Sequence, residues 1–347
     1  MPLTKSKFLS GPGKTPATKF SAKVSAREGS HYLKIGAYAK TGCGKSDAIV
    51  HLLLRNLRVF VVSTDIGGSG LLTVRSHLAL LGRTDLLQNL VEYEIVDRDC
   101  AYQEMESFID LWKDASLAPH FEVTLADGST TTLFAWDPDV LVWEGFSNFQ
   151  DSAVIRYVLT MNKVADRVNA KGEVTSTGTE SEMREAGFRA DDWRDWDAIK
   201  RATDYILDEF LIIENPVTRK KIHKYVTFHE RDAETGEGIG GEARVVKEED
   251  KQPGILLSGA ARNVVRGGFD LIIRMTREEE RRSGAERLSA LNQPKTAPKM
   301  KYYYTLSGPD TATKMRGYYD LPERMEADFG KVWDTVLGVK GERTTSS

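Results

Sequence analysis

The sequence predicts an α/β protein built on a parallel sheet, and three observations carry that expectation. An apolar run at 32–38 leads through a glycine-rich turn into the apolar segment 48–54. A second β-rich run, Arg58-Val59-Phe60-Val61-Val62-Ser63, follows at once, so strand, helix and strand form one right-handed crossover unit with parallel strands. The same alternation then continues along the chain, which places functional loops at the carboxyl ends of the strands.

Taken in order, residues 71–81 have helical spacing, 91–96 read as a strand and 101–114 as a helix. Residues 121–134 alternate around Asp127-Gly128, a hairpin signal. Val140-Leu141-Val142-Trp143 is an apolar strand with Glu144 at its carboxyl end. A helix continues over 147–162, and 195–213 is amphipathic. Further strands are expected at 224–228, 269–275 and 302–306, a short helix at 256–265 and a closing helix at 329–337. Segments 169–192 and 234–252, polar and glycine-containing, read as mobile insertions in a domain spanning 29–340. Residues 1–28 read as a flexible basic tail, with Lys5, Lys7, Lys14, Lys19, Lys23 and Arg27 against Glu28 alone, and 341–347 as a closing tail. Gly11-Pro12-Gly13-Lys14-Thr15 in the leading tail has no strand before it and no apolar helix after it, so it is a decoy.

With 40% hydrophobic and 29% charged residues among 347, the composition is that of an ordinary globular protein. A net charge of -3 argues against whole-surface binding of nucleic acid, but leaves room for a local basic path. Two cysteines, Cys43 and Cys100, imply no disulfide framework. The chain shows no stretch of transmembrane length and no signal-peptide core, so a cytoplasmic location and no membrane partner are expected.

The glycine-rich turn is Ala39-Lys40-Thr41-Gly42-Cys43-Gly44-Lys45-Ser46. Strand, turn ending in Gly-Lys-Ser, then apolar helix is the context of a phosphate-binding P-loop (Walker A). Glycines let successive backbone N–H groups converge on one anion. Lys45 can then reach the β- and γ-phosphates of ATP, and the Ser46 hydroxyl can ligate Mg²⁺. Ala39 stands where the pattern usually has glycine.

Other strand ends carry polar residues. Asp65 ends the strand after the P-loop helix, where it can polarise an attacking water as general base; Asp65-Ile66-Gly67-Gly68 is equally good turn chemistry. Glu144 follows four apolar residues in the Walker B manner and is the second candidate Mg²⁺ ligand; the alternative is a cap for the next helix. His229 ends a third strand, either sensing the γ-phosphate or serving structure. Lys314 and Arg316, one residue apart on an extended segment, share a side and can act on a neighbouring subunit's γ-phosphate or form a solvated basic turn.

In this order, Ala39 to Ser46, Asp65, Glu144, His229, then Lys314 and Arg316, the chain resembles the RecA-like ATPases, and more narrowly the bacteriophage-type members associated with single-strand annealing and recombination. Supporting stretches are Tyr225-Val226-Thr227-Phe228-His229-Glu230, Gly267 to Met275, and Thr313-Lys314-Met315-Arg316 before Leu321-Pro322. The resemblance covers about residues 30 to 340 and implies a twisted, mostly parallel sheet flanked by helices. It also implies assembly into a ring or filament with ATP between subunits, and single-stranded DNA as partner. Asp65 stands where that family usually has a catalytic Glu, so hydrolysis is expected to be slow or to use a different geometry.

The implied DNA loops are 162–192 and 231–268. The second carries Arg244, Lys247, Lys251, Arg262 and Arg266 alongside Glu237, Glu242, Glu248, Glu249 and Asp250. The first offers Phe188, Trp193 and Trp196 for base stacking, although the spacing of the two tryptophans suits core contacts better. Three functions fit this reading: an ATP-dependent annealing or recombination protein, a ring-forming helicase or translocase, and a weakly hydrolysing assembly or regulatory protein. A small-molecule kinase fits less well, because no acceptor site is evident.

Overall fold

A computed structural model describes residues 32–64, 69–95, 97, 99–114, 116, 121–165, 193–232, 253–257, 267–279, 300–307, 313–315 and 321–337. The tails, Asp65, both insertions, most of the helix expected at 256–265, and Arg316 lie outside the described residues.

Among the described residues the chain forms a sheet with helices on both faces, the expected α/β class. Strands β1 (Lys34–Ala39), β2 (Val59–Ser63), β3 (Leu90–Glu94), β6 (Val140–Glu144), β7 (His223–Arg231) and β9 (Leu271–Glu279) are parallel, in the spatial order β9-β1-β7-β6-β2-β3. One strand, β7, therefore separates the P-loop strand β1 from the Walker B-type strand β6. Beyond β9 the sheet turns antiparallel through β10 (Met300–Thr305) and β12 (Arg324–Glu326). A two-residue strand β8 (Gly254–Ile255) pairs antiparallel with the end of β7, and β11 (Lys314–Met315) pairs antiparallel with the start of β9. The hairpin around Asp127-Gly128 forms a separate pair, β4 (Glu122–Thr124) and β5 (Thr130–Thr132), with Gly128 at φ 82° in its turn.

The period-two alternation of the strands divides the interior into two cores. Val59, Val61, Val140, Val142, Leu271 and Ile273 face helices α1 (Asp47–Leu53), α2 (Ser69–Leu80) and the closing helix α8 (Phe329–Leu337). Phe60, Val62, Leu141, Trp143, Val226 and Phe228 face α3 (Ala101–Leu111), the short α4 (Leu133–Trp136) and α5 (Phe146–Phe149), α6 (Ile155–Ala165) and α7 (Trp193–Ile212). A π-helical turn, Gln150–Val154, joins α5 to α6. Burying a large apolar side chain contributes roughly 1.5–3 kcal/mol, so the apolar runs on both faces of the central strands supply the main driving force. The second core is aromatic: Trp143 lies with ring centroids 4.8–5.1 Å from Phe146, Phe149 and Phe210.

Local details differ from the expectations. Strand β7 does not stop at Phe228: its pairing with β1 ends at Ala39↔His229, but β8 prolongs it to Arg231. Strand β9 runs past Met275 to Glu279, because β10 supplies a partner for its polar end. Trp196, expected in the core, is 39% exposed, while Ile199, Ile206 and Phe210 carry the buried face of α7.

Candidate nucleotide site

The P-loop joins β1 to α1. Gly42 (φ 75°) and Gly44 (φ 89°) adopt left-handed backbone that other residues resist, which is why the turn is glycine at these two positions. The Lys45 amine bends back over the loop and donates to the Ala39 carbonyl at 3.2 Å. From the core, the Tyr225 hydroxyl donates to the Lys45 carbonyl at 3.0 Å. Tyr225 is fully buried, and burial pushes its phenol well above the ordinary value, so it stays protonated as a donor.

Ser46 occupies the N-cap of α1 but does not cap it. Its hydroxyl instead donates to the Glu144 carboxylate, which is 3% exposed. The helix following Glu144 is entered through Gly145 at φ 84°, so the alternative of a Glu144 helix cap is not what the structure has. Gly145 N–H donates to Thr227 Oγ1 at 3.0 Å, which fixes the turn after the acid. Thr64 Oγ1 shares its one proton between the carbonyls of Glu144 (3.0 Å) and Gly145 (3.2 Å) and accepts from the Trp143 indole N–H at 3.2 Å. This clamp joins the ends of β2 and β6 one residue before Asp65.

His229 pairs in register with Ala39, the first loop residue. It lies on the same strand parity as Tyr225 and Thr227, hence on the sheet face of α1 and Glu144. Its N–H donates to Ser147 Oγ at 3.0 Å, and Ser147 in turn donates to the Leu256 carbonyl at 2.7 Å. The structure therefore brings Ala39 to Ser46, Glu144 and His229 to one edge of the sheet.

Lys314 is elsewhere. It pairs with Ile272 near the start of β9, whereas the P-loop leaves β1 at the level of Met275. Its amine points to the Gly267 carbonyl, 3.4 Å away, before β9 begins. Lys314 thus stands at the opposite edge of the sheet from the P-loop of its own subunit.

Charges knit the loop to its surroundings. Lys40 pairs with Asp232 at 2.5 Å, and that hydrogen bond and charge hold its amine above the ordinary value. Arg274 forms a two-bond pair with Glu230 at 2.8 and 3.0 Å, crossing β1 from β9 to β7. Burial pushes the Asp47 carboxyl up, but hydrogen bonds and charge from His51 and His77 outweigh it and hold the group below the ordinary carboxylate value.

Ser46 Oγ and the Glu144 carboxylate together fit a Mg²⁺ held largely by phosphate and water. Among the described residues no cluster of three His, Cys, Asp or Glu offers an all-protein metal cage. Sequence reasoning missed Tyr225, Thr227, Ser147 and Thr64; the alternation of Tyr225, Thr227 and His229 along one strand parity was the available signal.

No protein-family model matches the chain. No curated protein matches it. Among solved structures, the chain is similar to an ATPase from the type III secretion system of pathogenic bacteria, with 14% identity and a TM-score of 0.32. The match covers 77% of this chain and 55% of that one, so the chain spans about half the length of that protein.

Proposed function

We propose that the protein is a P-loop ATPase whose nucleotide site lies at Ala39 to Ser46. The observation that carries this reading is the direct contact of Ser46 Oγ with the buried Glu144 carboxylate beside Lys45. In this reading Lys45 neutralises the β- and γ-phosphates, Ser46 and Glu144 hold Mg²⁺ through oxygen ligands and water, and His229 reads the γ-phosphate end. Bound Mg²⁺ supplies charge neutralisation at the phosphates. Asp65, directly after the Thr64 clamp, is the proposed general base.

Lys314 and Arg316 act in trans in this proposal. The support is the location of Lys314 at the far edge of its own sheet, where a neighbouring subunit's site is the accessible target. Self-association as a ring or filament follows from that assignment, and single-stranded DNA as the partner follows from the order of motifs along the chain. The work done with ATP would be annealing or recombination on that strand, in a cytoplasmic setting.

The test is ATP hydrolysis measured against single-stranded DNA concentration for the native chain and Lys45→Ala. Native turnover that exceeds the variant's and rises with DNA is expected. Turnover equal in the two proteins removes the ATPase reading, and Lys45-dependent turnover indifferent to DNA removes the DNA partner alone. Mixing Lys45→Ala with Arg316→Ala should restore activity if sites are shared; no recovery in demonstrably mixed assemblies removes the trans assignment.

A further inference from the structure

Strands β9 and β10 overhang the P-loop. Ala39, the last residue of β1, pairs with Met275, whereas β9 and β10 stay paired out to Glu279↔Met300. Leu271, Ile273 and Met275 point into the core on the α1 face, so by alternation Arg277 projects on that face, as does its cross-strand partner Tyr302. Both side chains reach the loop. A Cβ on Gly42 would lie 3.2 Å from Arg277 Nη1, and a Cβ on Gly44 would lie 3.9 Å from Tyr302 Cδ1.

Charge and exposure single out this pair. Arg274 on β9 and Arg324 on β12 are committed to Glu230 and Glu278. Among the described residues no carboxylate pairs with Arg277, although its guanidinium lies against the phosphate loop. Tyr302 is 39% exposed, whereas Tyr304, two residues along the same strand face, is 2% exposed. An aromatic ring left open to water beside a guanidinium with no carboxylate partner among the described residues is an arrangement that suits a flat, anionic ligand.

The terminal phosphate is assigned above to the side of Glu144 and His229, which stand on β6 and β7. Strands β9 and β10 flank β1 on its other side. In the same reading the rest of the nucleotide runs from the terminal phosphate along Gly42 and Gly44, the loop residues that Arg277 and Tyr302 approach. We infer, resting on the nucleotide-binding reading, that this overhang completes the site from within the same subunit: Arg277 binds a non-terminal phosphate and the Tyr302 ring stacks on the base. Arginine's planar fork matches phosphate oxygens, and stacking reads a base by its face rather than its edge. The ligand class is therefore a nucleoside triphosphate recognised by phosphate and ring face together. This cation in cis is separate from Lys314 and Arg316, which the proposal above places in trans.

Equilibrium binding of ATP and of inorganic tripolyphosphate to the full chain tests it, using native protein, Lys45→Ala, Arg277→Ala, Arg277→Lys, Tyr302→Ala and Tyr302→Phe, with circular dichroism to establish folding. Tyr302→Ala is expected to weaken ATP about tenfold and leave tripolyphosphate unchanged, with Tyr302→Phe close to native. Arg277→Ala is expected to weaken both ligands about tenfold, with Arg277→Lys intermediate. Native affinity for ATP in Tyr302→Ala, or equal losses for the two ligands, overturns the stacking role. Unchanged binding of both ligands in Arg277→Ala overturns the phosphate role. A native chain that does not bind ATP, or Lys45→Ala binding as tightly as native, refutes the nucleotide site itself and the inference with it.

Discussion

The Tyr225 hydroxyl donates to the Lys45 carbonyl across 3.0 Å, so the strand that carries His229 also supports the glycine-rich loop. Tyr225→Phe removes this donor to the part-buried Lys45 carbonyl. A loss of about 1 kcal/mol in stability is expected, together with weaker ATP binding by a factor of several. Urea denaturation alongside ATP titration measures both; full affinity in a destabilised variant would show that the loop holds its shape without this prop.

Glu144→Gln keeps the shape of the side chain and a hydrogen-bond partner for Ser46 while removing the charge. Binding of ATP should persist, and Mg²⁺-dependent turnover should fall about a hundredfold. The melting temperature should hold, since a buried amide is less costly to desolvate than a buried carboxylate. Initial rates across a Mg²⁺ series are the measurement, and native rates in the variant would exclude Glu144 as the metal-side carboxylate.

Arg55 ties α8 to the end of α1 through two hydrogen bonds to Asp334, at 2.6 and 2.7 Å. Gly330 makes room for that guanidinium: a Cβ there would lie 2.2 Å from Arg55 Nη1 and Nη2. Gly330→Ala should displace the arginine, break the pair and cost about 1 kcal/mol. In an Arg55→Ala background the same change should be neutral or stabilising by about 0.5 kcal/mol, because alanine is the better helix former. A double-mutant cycle by chemical denaturation reads this sign reversal.

Lys224 is buried, and its amine donates to the carbonyls of Ile213 (2.9 Å) and Ile222 (2.6 Å). Burial holds its amine well below the ordinary 10.5, with Lys34 and Lys221 adding repulsion. The unfolded chain therefore binds this proton more tightly, so the folded state gains as pH rises through the window between the two values. Native protein should gain stability relative to Lys224→Met as pH rises toward 10.5, where the gain is complete. Denaturation curves for both proteins from neutral pH upward check the sign; a gap that narrows would contradict it.

The legible parts of the site were those written in one short stretch. Gly42, Gly44, Lys45 and Ser46 are contiguous, and the four apolar residues before Glu144 announce a buried strand by themselves. Contacts made by sheet register were hidden, since Tyr225 meets Lys45 across 180 positions and Ser147 meets His229 across 82. The end of β9 was lost for a related reason: Thr276 to Glu279 are polar because they lie beyond the core, so the apolar pattern stops before the strand does. Trp196 misled because helical spacing fixes which residues share a face, but not which face is covered.

The division of the interior by the sheet has a practical consequence. Ser46, Glu144, His229, Arg277 and Tyr302 are all assigned to the α1 face, whereas Phe108, Trp112, Phe134 and Phe210 fill the opposite core. The part of that opposite core around Phe108 and Phe134 is therefore available to an engineer who wishes to raise or lower thermal tolerance without redesigning the proposed nucleotide site. Cavities cut at Phe108 or Phe134 should reduce the amount of folded protein in a preparation while leaving the ATP affinity of each folded molecule unchanged.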